Sequence, residues 1–204
     1  MAYIANTAFE ARITNNSREN LSHVAGLYQA GSPAANADCS AGLLCVRNGR
    51  VPNEGFDNPS GTRVYNENTW FFNAAADSVT ADDVIYACDT YDVQLLSGKR
   101  TGLAYFVGTE TLGLGVPAGR YGNFTRIDFD NQSVYRFGIG NLSASLSTNT
   151  YFTIANGLLV PAASAPVTAG AIYFELRGTG NFVEGTQQSF GYVDVVACKV
   201  TVAA

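Results

Sequence analysis

The sequence is poor in the side chains on which most hydrolases and metalloenzymes depend. Its 204 residues include a single histidine, His23. Ser-His-Asp triads, Cys-His dyads and multi-histidine metal sites would all have to use that one residue. The sequence therefore predicts a protein that is not an enzyme and that carries no catalytic residue, no metal and no cofactor.

Basic residues are also few. Lysine occurs only at Lys99 and Lys199, and 12 basic residues stand against 17 acidic ones, which gives a formal net charge of -5. Nucleic-acid-binding proteins present basic patches to phosphates, so no nucleic acid partner is expected. No apolar run approaches the roughly 20 residues that span a bilayer. The first residues also lack the features of a signal peptide, so we expect synthesis in a cytoplasm and no membrane partner.

Cysteine is scarce and irregularly spaced. Cys39, Cys45, Cys88 and Cys198 are separated by 6, 43 and 110 positions, which matches neither a zinc ribbon nor a Cys-x-x-Cys redox pair. The last three lie within apolar runs. Because no secretion signal is evident, buried small side chains are favoured over a disulfide framework.

Aromatic and small residues are abundant. The chain has 12 Phe, 11 Tyr and 21 Gly, and 47% of it is apolar. Apolar residues alternate with others in segments 135–139 and 171–177, as they do in half-buried strands. Long helix signals are scarce. These patterns predict an all-β sandwich or barrel built of hairpins, with at most one or two short helices.

Two further segments bear on the strand arrangement. Tyr192, Val196, Cys198, Val200 and Val202 fall on one side of a long carboxyl-terminal strand, which we expect to lie centrally in a sheet. Segment 79–95 fits either a helix that begins at a capping box or a strand, and the strand is favoured.

Two Asn-Gly dipeptides predict hairpin turns. Asn48-Gly49 and Asn156-Gly157 each follow an apolar stretch and precede another that ends in proline. Asn-Gly tolerates the positive φ angles of a type I′ turn, which matches the twist of the strands on either side. We therefore expect a β-hairpin at each position.

These similarities extend beyond the turns. Val-Thr-Ala at residues 79–81 recurs at residues 167–169, each time shortly before bulky apolar residues. The pattern is consistent with a degenerate two-fold repeat, with halves of about 41–110 and 141–204. The alternative is that two hairpins followed by strands look alike in any β protein.

The first 40 residues differ from the rest because isolated apolar side chains are separated by polar stretches. Such a segment cannot form its own core, so it packs as an extended arm on a larger body or stays mobile. We expect residues 1–40 to form an arm and linker and residues 41–204 to form the β domain. Insertion along a partner's surface is assigned to Tyr3, Ile4, Phe9 and Ile13.

Paired acids are the arrangement that could support acid-base chemistry. They occur at Asp82 with Asp83, Asp89 with Asp92, and Asp128 with Asp130. A glycoside hydrolase would need two carboxyl groups about 5 to 9.5 Å apart in one cleft. At residues 128–132 a solvated turn after a strand is favoured instead.

Aromatic residues offer a second candidate site. Trp70, Phe71 and Tyr121 could form a platform for sugar rings, since flat apolar faces pair with pyranoses. Core packing is the competing interpretation and the more usual role of such residues. The exposure of Trp70 distinguishes the two interpretations.

One sequence pattern resembles a known class of proteins. Residues 41–52, Ala-Gly-Leu-Leu-Cys-Val-Arg-Asn-Gly-Arg-Val-Pro, combine a glycine, an apolar pair, an Asn-Gly turn and a proline, and residues 149–162 repeat this pattern. It resembles capsid decoration and head-fibre proteins of tailed bacteriophages. The compact size, the polar amino-terminal segment and the scarcity of Lys and His are also similar to those auxiliary virion proteins.

This resemblance implies a structural virion protein that decorates or projects from the capsid and stabilises the shell. Its partners would be the major capsid protein or other virion subunits, and it would attach through its amino-terminal arm. It would be a homo-oligomer, with a trimer favoured, made in the host bacterial cytoplasm and located in the virion. Repeated weak attachment on a lattice makes affinity a collective property.

Two other classes stay open. A glycan-binding or host-recognition β module of a phage tail or fibre predicts exposed aromatic side chains at Trp70, Phe71 or Tyr121 beside polar groups. A hydrolase with paired aspartates predicts two carboxyl groups that line one cleft.

Overall fold

The chain folds as two packed β layers. The structure, a computed structural model, describes residues 7–13, 23–52, 65–89, 115–146, 148–184 and 188–201. Within these residues the regular structure is β apart from a 3-10 turn at Ile139–Asn141, which confirms the all-β prediction. The strands are β1 (Phe9–Ile13), β2 (His23–Ala30), β3 (Ala35–Asn36), β4 (Cys39–Ser40), β5 (Leu44–Pro52), β6 (Tyr65–Ala74), β7 (Ile85–Cys88), β8 (Gly115–Val116), β9 (Gly122–Arg126), β10 (Val134–Gly138), β11 (Tyr151–Ala155), β12 (Leu158–Ala162), β13 (Ile172–Glu184) and β14 (Gln188–Lys199).

Five strands close into a barrel. Their order is β2-β6-β5-β7-β9, and β9 pairs with β2 to complete the ring. β2 and β6 run parallel, whereas the other neighbours are antiparallel. The short β3 continues the sheet beside β2, and β4 pairs with β8. Closure pairs both edges of the sheet and encloses an interior that side chains fill.

Aromatic rings occupy the middle of the barrel. Phe72 stacks on Phe124 with their ring centroids 3.9 Å apart, and Tyr86 packs edge-on against Phe72 at 5.3 Å. Gly26 on β2 leaves room for this arrangement, because a Cβ atom there would overlap the ring of Phe72.

The cysteines are core residues. All four are buried thiols, which confirms their prediction as small hydrophobic side chains. Cys39, Cys45 and Cys88 lie together in the barrel core. Burial raises the pKa of the Cys39 and Cys45 thiols, so both stay protonated near neutral pH.

The second layer is an antiparallel sheet in the order β1-β10-β14-β13-β11-β12. Its inner side chains share one hydrophobic core with side chains on the outside of the barrel, among them Leu44, Ile85 and Ala87. The predicted sandwich and the predicted barrel are therefore both present, as a sheet packed on a barrel.

β14 lies centrally, as predicted, between β10 and β13. The face that packs in the shared core is Val193, Val195 and Ala197. Val196 and Cys198, on the opposite face, are also buried. Alternation alone could not distinguish the two faces, because consecutive residues of this strand, Val195 to Cys198, are all buried.

The prediction that residues 1–40 form an arm is wrong for the described residues. β1 pairs with β10 in the antiparallel sheet, and β2 lies between β6 and β9 in the barrel. Strands β2, β3 and β4 all precede residue 41, so no domain boundary falls there. Their sparse apolar residues need no core of their own, because strands distant in sequence supply it.

The two Asn-Gly dipeptides have different structures. Asn156-Gly157 connects β11 to β12 with φ angles of 50° and 75°, which confirms the hairpin. Asn48-Gly49 lies within β5, where pairing with β6 passes from Arg47 to Arg50, so the hairpin predicted there is wrong. The positive φ of Gly49, 86°, serves an irregularity in a continuous strand.

The two-fold repeat is not found in the described residues either. Strands of segment 41–110 belong to a closed barrel with a parallel pair, whereas those of 141–204 form an open antiparallel sheet. In segment 79–95, the Asp83 carboxylate accepts a hydrogen bond from the Thr80 backbone N–H at 2.8 Å, which closes a turn. The favoured strand follows as β7, and residues 90–95 lie outside the described residues.

Hydrogen bonds join the two layers at defined points. The side chain of Asn141 accepts from the backbone N–H of Ala8 at 3.1 Å and donates to the carbonyl oxygen of Ala41 at 2.8 Å. At the β11–β12 turn, the Gly157 carbonyl accepts from Leu44 N–H at 2.9 Å. These buried contacts attach the antiparallel sheet to the barrel wall.

Candidate functional site: an arginine cluster at one end of the barrel

One end of the barrel carries Arg47, Arg50, Trp70, Tyr86 and Arg126, which we call the arginine cluster. The register of the strands brings them together: Arg50 lies opposite Trp70, and Arg126 lies opposite Tyr86. The cluster therefore draws on β5, β6, β7 and β9, four of the five strands of the ring.

Strand alternation explains why these side chains meet. Residues two positions apart on a strand share a face. Three cluster members lie two positions from a buried residue of the barrel core and therefore share its inward face. The pairs are Cys45 and Arg47, Phe72 and Trp70, and Phe124 and Arg126. The inward face of these strands thus changes from buried apolar residues to exposed arginines at this end of the barrel.

The indole of Trp70 organises the cluster. The guanidinium carbon of Arg47 lies 4.5 Å from the Trp70 ring centroid, and that of Arg50 lies 5.2 Å away. Arg47 also lies over the ring of Tyr86, at 4.8 Å. Such cation–π contacts hold the arginine side chains against the barrel end.

Arg47 and Arg50 form no ion pair with a carboxylate that the structure describes. Among the described residues, no carboxylate oxygen lies within 4 Å of either guanidinium group. Arg126 differs, because its Nε lies 3.2 Å from a carboxylate oxygen of Asp128. The arginines that the structure describes at this end of the barrel therefore outnumber the carboxylates that contact them, on a chain whose net charge is -5.

Tyr86 contributes a neutral hydroxyl group. Burial raises its pKa, and the neighbouring guanidinium groups of Arg47 and Arg126 offset only part of that increase. The phenol therefore stays protonated near neutral pH and adds no negative charge. With two guanidinium forks that no described carboxylate contacts, this arrangement is suited to binding an oxyanion.

Two of the four residues assigned to partner docking, Phe9 and Ile13, lie within the described residues. Phe9 is buried, with 2% of its surface exposed, and its ring lies 5.3 Å from that of Phe137. Its assignment as a contact residue is therefore wrong, because the antiparallel sheet covers it. Ile13 belongs to β1 and pairs with Val134. Tyr3 and Ile4 lie outside the described residues.

The residues assigned to glycan stacking do not share one surface. Trp70 is half-buried against the barrel core and carries the two arginines. Phe71, next to it on β6, points to the opposite face of the strand. Tyr121 precedes β9 and is 56% exposed. Trp70 and Phe71 therefore cannot belong to one platform.

Two members of the predicted acidic pairs, Asp130 and Asp89, accept hydrogen bonds within the fold. The Asp130 carboxylate accepts hydrogen bonds from the backbone N–H groups of Gln132 and Ser133, at 2.9 and 2.7 Å. Burial alone would raise its pKa, but these hydrogen bonds outweigh burial and lower it. Asp89 accepts from the Thr125 hydroxyl at 2.7 Å. Asp92 lies outside the described residues.

The described ranges contain neither a candidate metal site nor a candidate membrane-spanning helix. In them, no group of three or more His, Cys, Asp or Glu side chains is placed to hold a metal ion. No helix in those ranges has the length and apolar character needed to cross a membrane.

Sequence reasoning missed the arginine cluster. Arg47 and Arg50 flank the Asn-Gly dipeptide that predicted a hairpin, and a hairpin would have carried them away from Trp70. The sequence did contain a signal for the cluster: Arg47 and Arg126 each lie two residues beyond an apolar strand residue, Cys45 and Phe124, and so share its face. Comparisons with family models, curated proteins and solved structures found no match to this chain.

Proposed function

We propose that the chain is a structural, non-enzymatic protein of a bacteriophage virion that decorates or projects from the capsid and stabilises the shell. Its partners are the major capsid protein or other virion subunits, and it is a homo-oligomer, with a trimer favoured. The observation that carries the proposal concerns the three acidic pairs that a hydrolase could use. One member of each pair, Asp83, Asp89 and Asp130, accepts hydrogen bonds that hold the fold together.

The packing of the amino-terminal strands changes how attachment is proposed to occur. Because β1 and β2 belong to the two sheets, the described part of segment 1–40 cannot order separately on a partner. Attachment therefore uses the surface of the folded body. A body that is already folded loses little conformational entropy when many copies bind weakly to a lattice.

The direct test is the composition of purified particles. Under this proposal a bacteriophage encodes the chain. Quantitative mass spectrometry of its gradient-purified virions should find the chain at a fixed, multi-copy ratio to the major capsid protein. Particles that lack the chain should lose their genome at a lower temperature. Its absence from intact particles would contradict the proposal.

A second candidate function is a glycan-binding or host-recognition module of a tail or fibre. The exposed ring of Tyr121 favours it, since such a face can stack on a sugar. Binding to a glycan array that disappears in Tyr121→Ala, but not in the control Val167→Ala, would support this function over shell decoration. Val167 is likewise exposed, at 63%.

A further inference from the structure

Two arginines of the cluster, Arg47 and Arg50, carry positive charge that no carboxylate among the described residues balances. Arg136 binds Asp194 through two hydrogen bonds of 2.7 and 2.8 Å, and Arg177 lies 3.8 Å from Glu175. Arg47 and Arg50 instead contact aromatic rings, and both are exposed. On an acidic protein, two adjacent arginines that no described carboxylate contacts are suited to binding an external anion.

Stacking also prepares these arginines for binding. A guanidinium group that lies over an aromatic ring uses its flat face, so the N–H donors in its plane still point outward. Because Trp70 restrains both side chains, less rotamer entropy is lost when an anion binds. A carboxylate, with two oxygens in a plane, matches the guanidinium fork.

The geometry discriminates among anionic partners. Nucleic acid bases and sugars stack on open aromatic faces, but Trp70 is contacted by two guanidinium groups and by the barrel core. A long polyphosphate would also meet the net charge of -5 beyond the cluster. A short acidic segment avoids both difficulties.

We propose that the arginine cluster is a docking site for an acidic peptide segment of the protein on which this chain assembles. Side-chain carboxylates of that segment bind Arg47 and Arg50. This proposal rests on the proposed virion function, and it replaces the amino-terminal residues with the arginine cluster as the attachment surface.

The test uses the chain's single tryptophan, Trp70, as its own reporter. Titration with hexaglutamate should change the Trp70 fluorescence saturably, and hexaglutamine should not. Added salt should weaken binding, because the contacts are exposed and ionic. The double variant Arg47→Gln/Arg50→Gln should bind hexaglutamate about tenfold or more weakly, since charge-assisted hydrogen bonds are lost.

The matched control is Arg120→Gln. Arg120 is an exposed arginine in the turn before β9, whereas Arg126 lies at the other end of that strand. The Arg120→Gln variant should bind hexaglutamate with the same affinity as the unsubstituted chain. A second variant, Arg47→Lys/Arg50→Lys, retains the charge but lacks the fork, and it should also weaken binding. Unchanged binding by Arg47→Gln/Arg50→Gln would overturn the proposal, as would the absence of saturable binding.

Two further titrations separate partner classes. A single-stranded oligonucleotide and a sulfated oligosaccharide should both bind more weakly than hexaglutamate. If either binds more tightly, the acidic-peptide proposal is wrong and the cluster belongs to that other class of ligand.

Sedimentation with virions separates this inference from the proposed function. If the original chain and the Arg47→Gln/Arg50→Gln variant are both retained on particles, the virion function stands and the cluster proposal fails. If hexaglutamate binds at the cluster but the chain is absent from particles, the virion function fails while acidic-peptide recognition stands. Retention of the original chain alone supports both.

Discussion

Gly26 lies against the ring of Phe72 inside the barrel so closely that a methyl group would overlap it. The two residues are on neighbouring parallel strands, β2 and β6. The Phe72 ring can stack on Phe124 only because β2 presents no side chain at this point. The absence of one atom therefore determines how the barrel interior packs.

We expect Gly26→Ala to destabilise the protein by about 1–3 kcal/mol, the usual cost of overpacking a core. Chemical denaturation monitored by circular dichroism measures it. The matched control is Gly178→Ala on β13, where an added Cβ would meet no atom within 4 Å. Equal stability of the two variants would show that the barrel is not closed as described.

Gly157→Ala should be more destabilising than Gly49→Ala. Both glycines have positive φ, 75° and 86°, so each substitution incurs about 1 kcal/mol of backbone strain. At Gly157 the added Cβ would also lie 2.8 Å from the carbonyl oxygen of Leu44, whereas at Gly49 it would meet nothing within 4 Å. Thermal unfolding of the two variants measures the difference, and reversal of their order would contradict the contact between the layers.

Phe9→Ala should cost about 3–5 kcal/mol of folding free energy, as truncation of a buried phenylalanine usually does. Phe9 is in the shared core and contacts Tyr135 and Phe137. Ile139→Ala is the control, because that side chain is 43% exposed and should matter little. If Phe9→Ala unfolds like the original chain, residue 9 belongs to a separate arm after all.

Asp130 should make stability depend on acid pH. Its pKa is lowered from 3.8 in the folded state, so its contribution is present above that value and is lost as pH falls through the folded pKa. Asp130→Asn should therefore lower the unfolding temperature at neutral pH, and its difference from the original chain should shrink below pH 3.8. Asp77→Asn, at an exposed acid, is the control, and an equal pH dependence of the two differences would contradict this assignment.

Local patterns predicted those elements whose cause is local. The Asn156-Gly157 hairpin follows from the φ preferences of two residues, and the alternation of residues 135–137 and 172–174 follows from the period of a strand. The same dipeptide at Asn48-Gly49 became a bulge, because β5 continues to pair with β6 beyond it. A local preference for positive φ does not specify whether the chain turns or bulges.

The candidate site depended on register, which sequence patterns specify poorly. Arg47 and Trp70 are on different strands, and their contact exists only because β5 and β6 pair with a shift between Arg47 and Arg50. A shift of one residue would have moved either side chain to the other face. The sequence analysis named Trp70 for glycan stacking, and it did not anticipate the contacts of Trp70 with Arg47 and Arg50.

The sequence by itself determined that this protein is β-rich, acidic and rich in aromatic side chains, because composition and two-residue alternation are local properties. Only the tertiary structure decided that β1 and β2 enter the two sheets, that five strands close into a barrel, and that three arginines gather at its end. Those outcomes depend on pairing between distant strands, and such pairing is selected by the packing of the whole core.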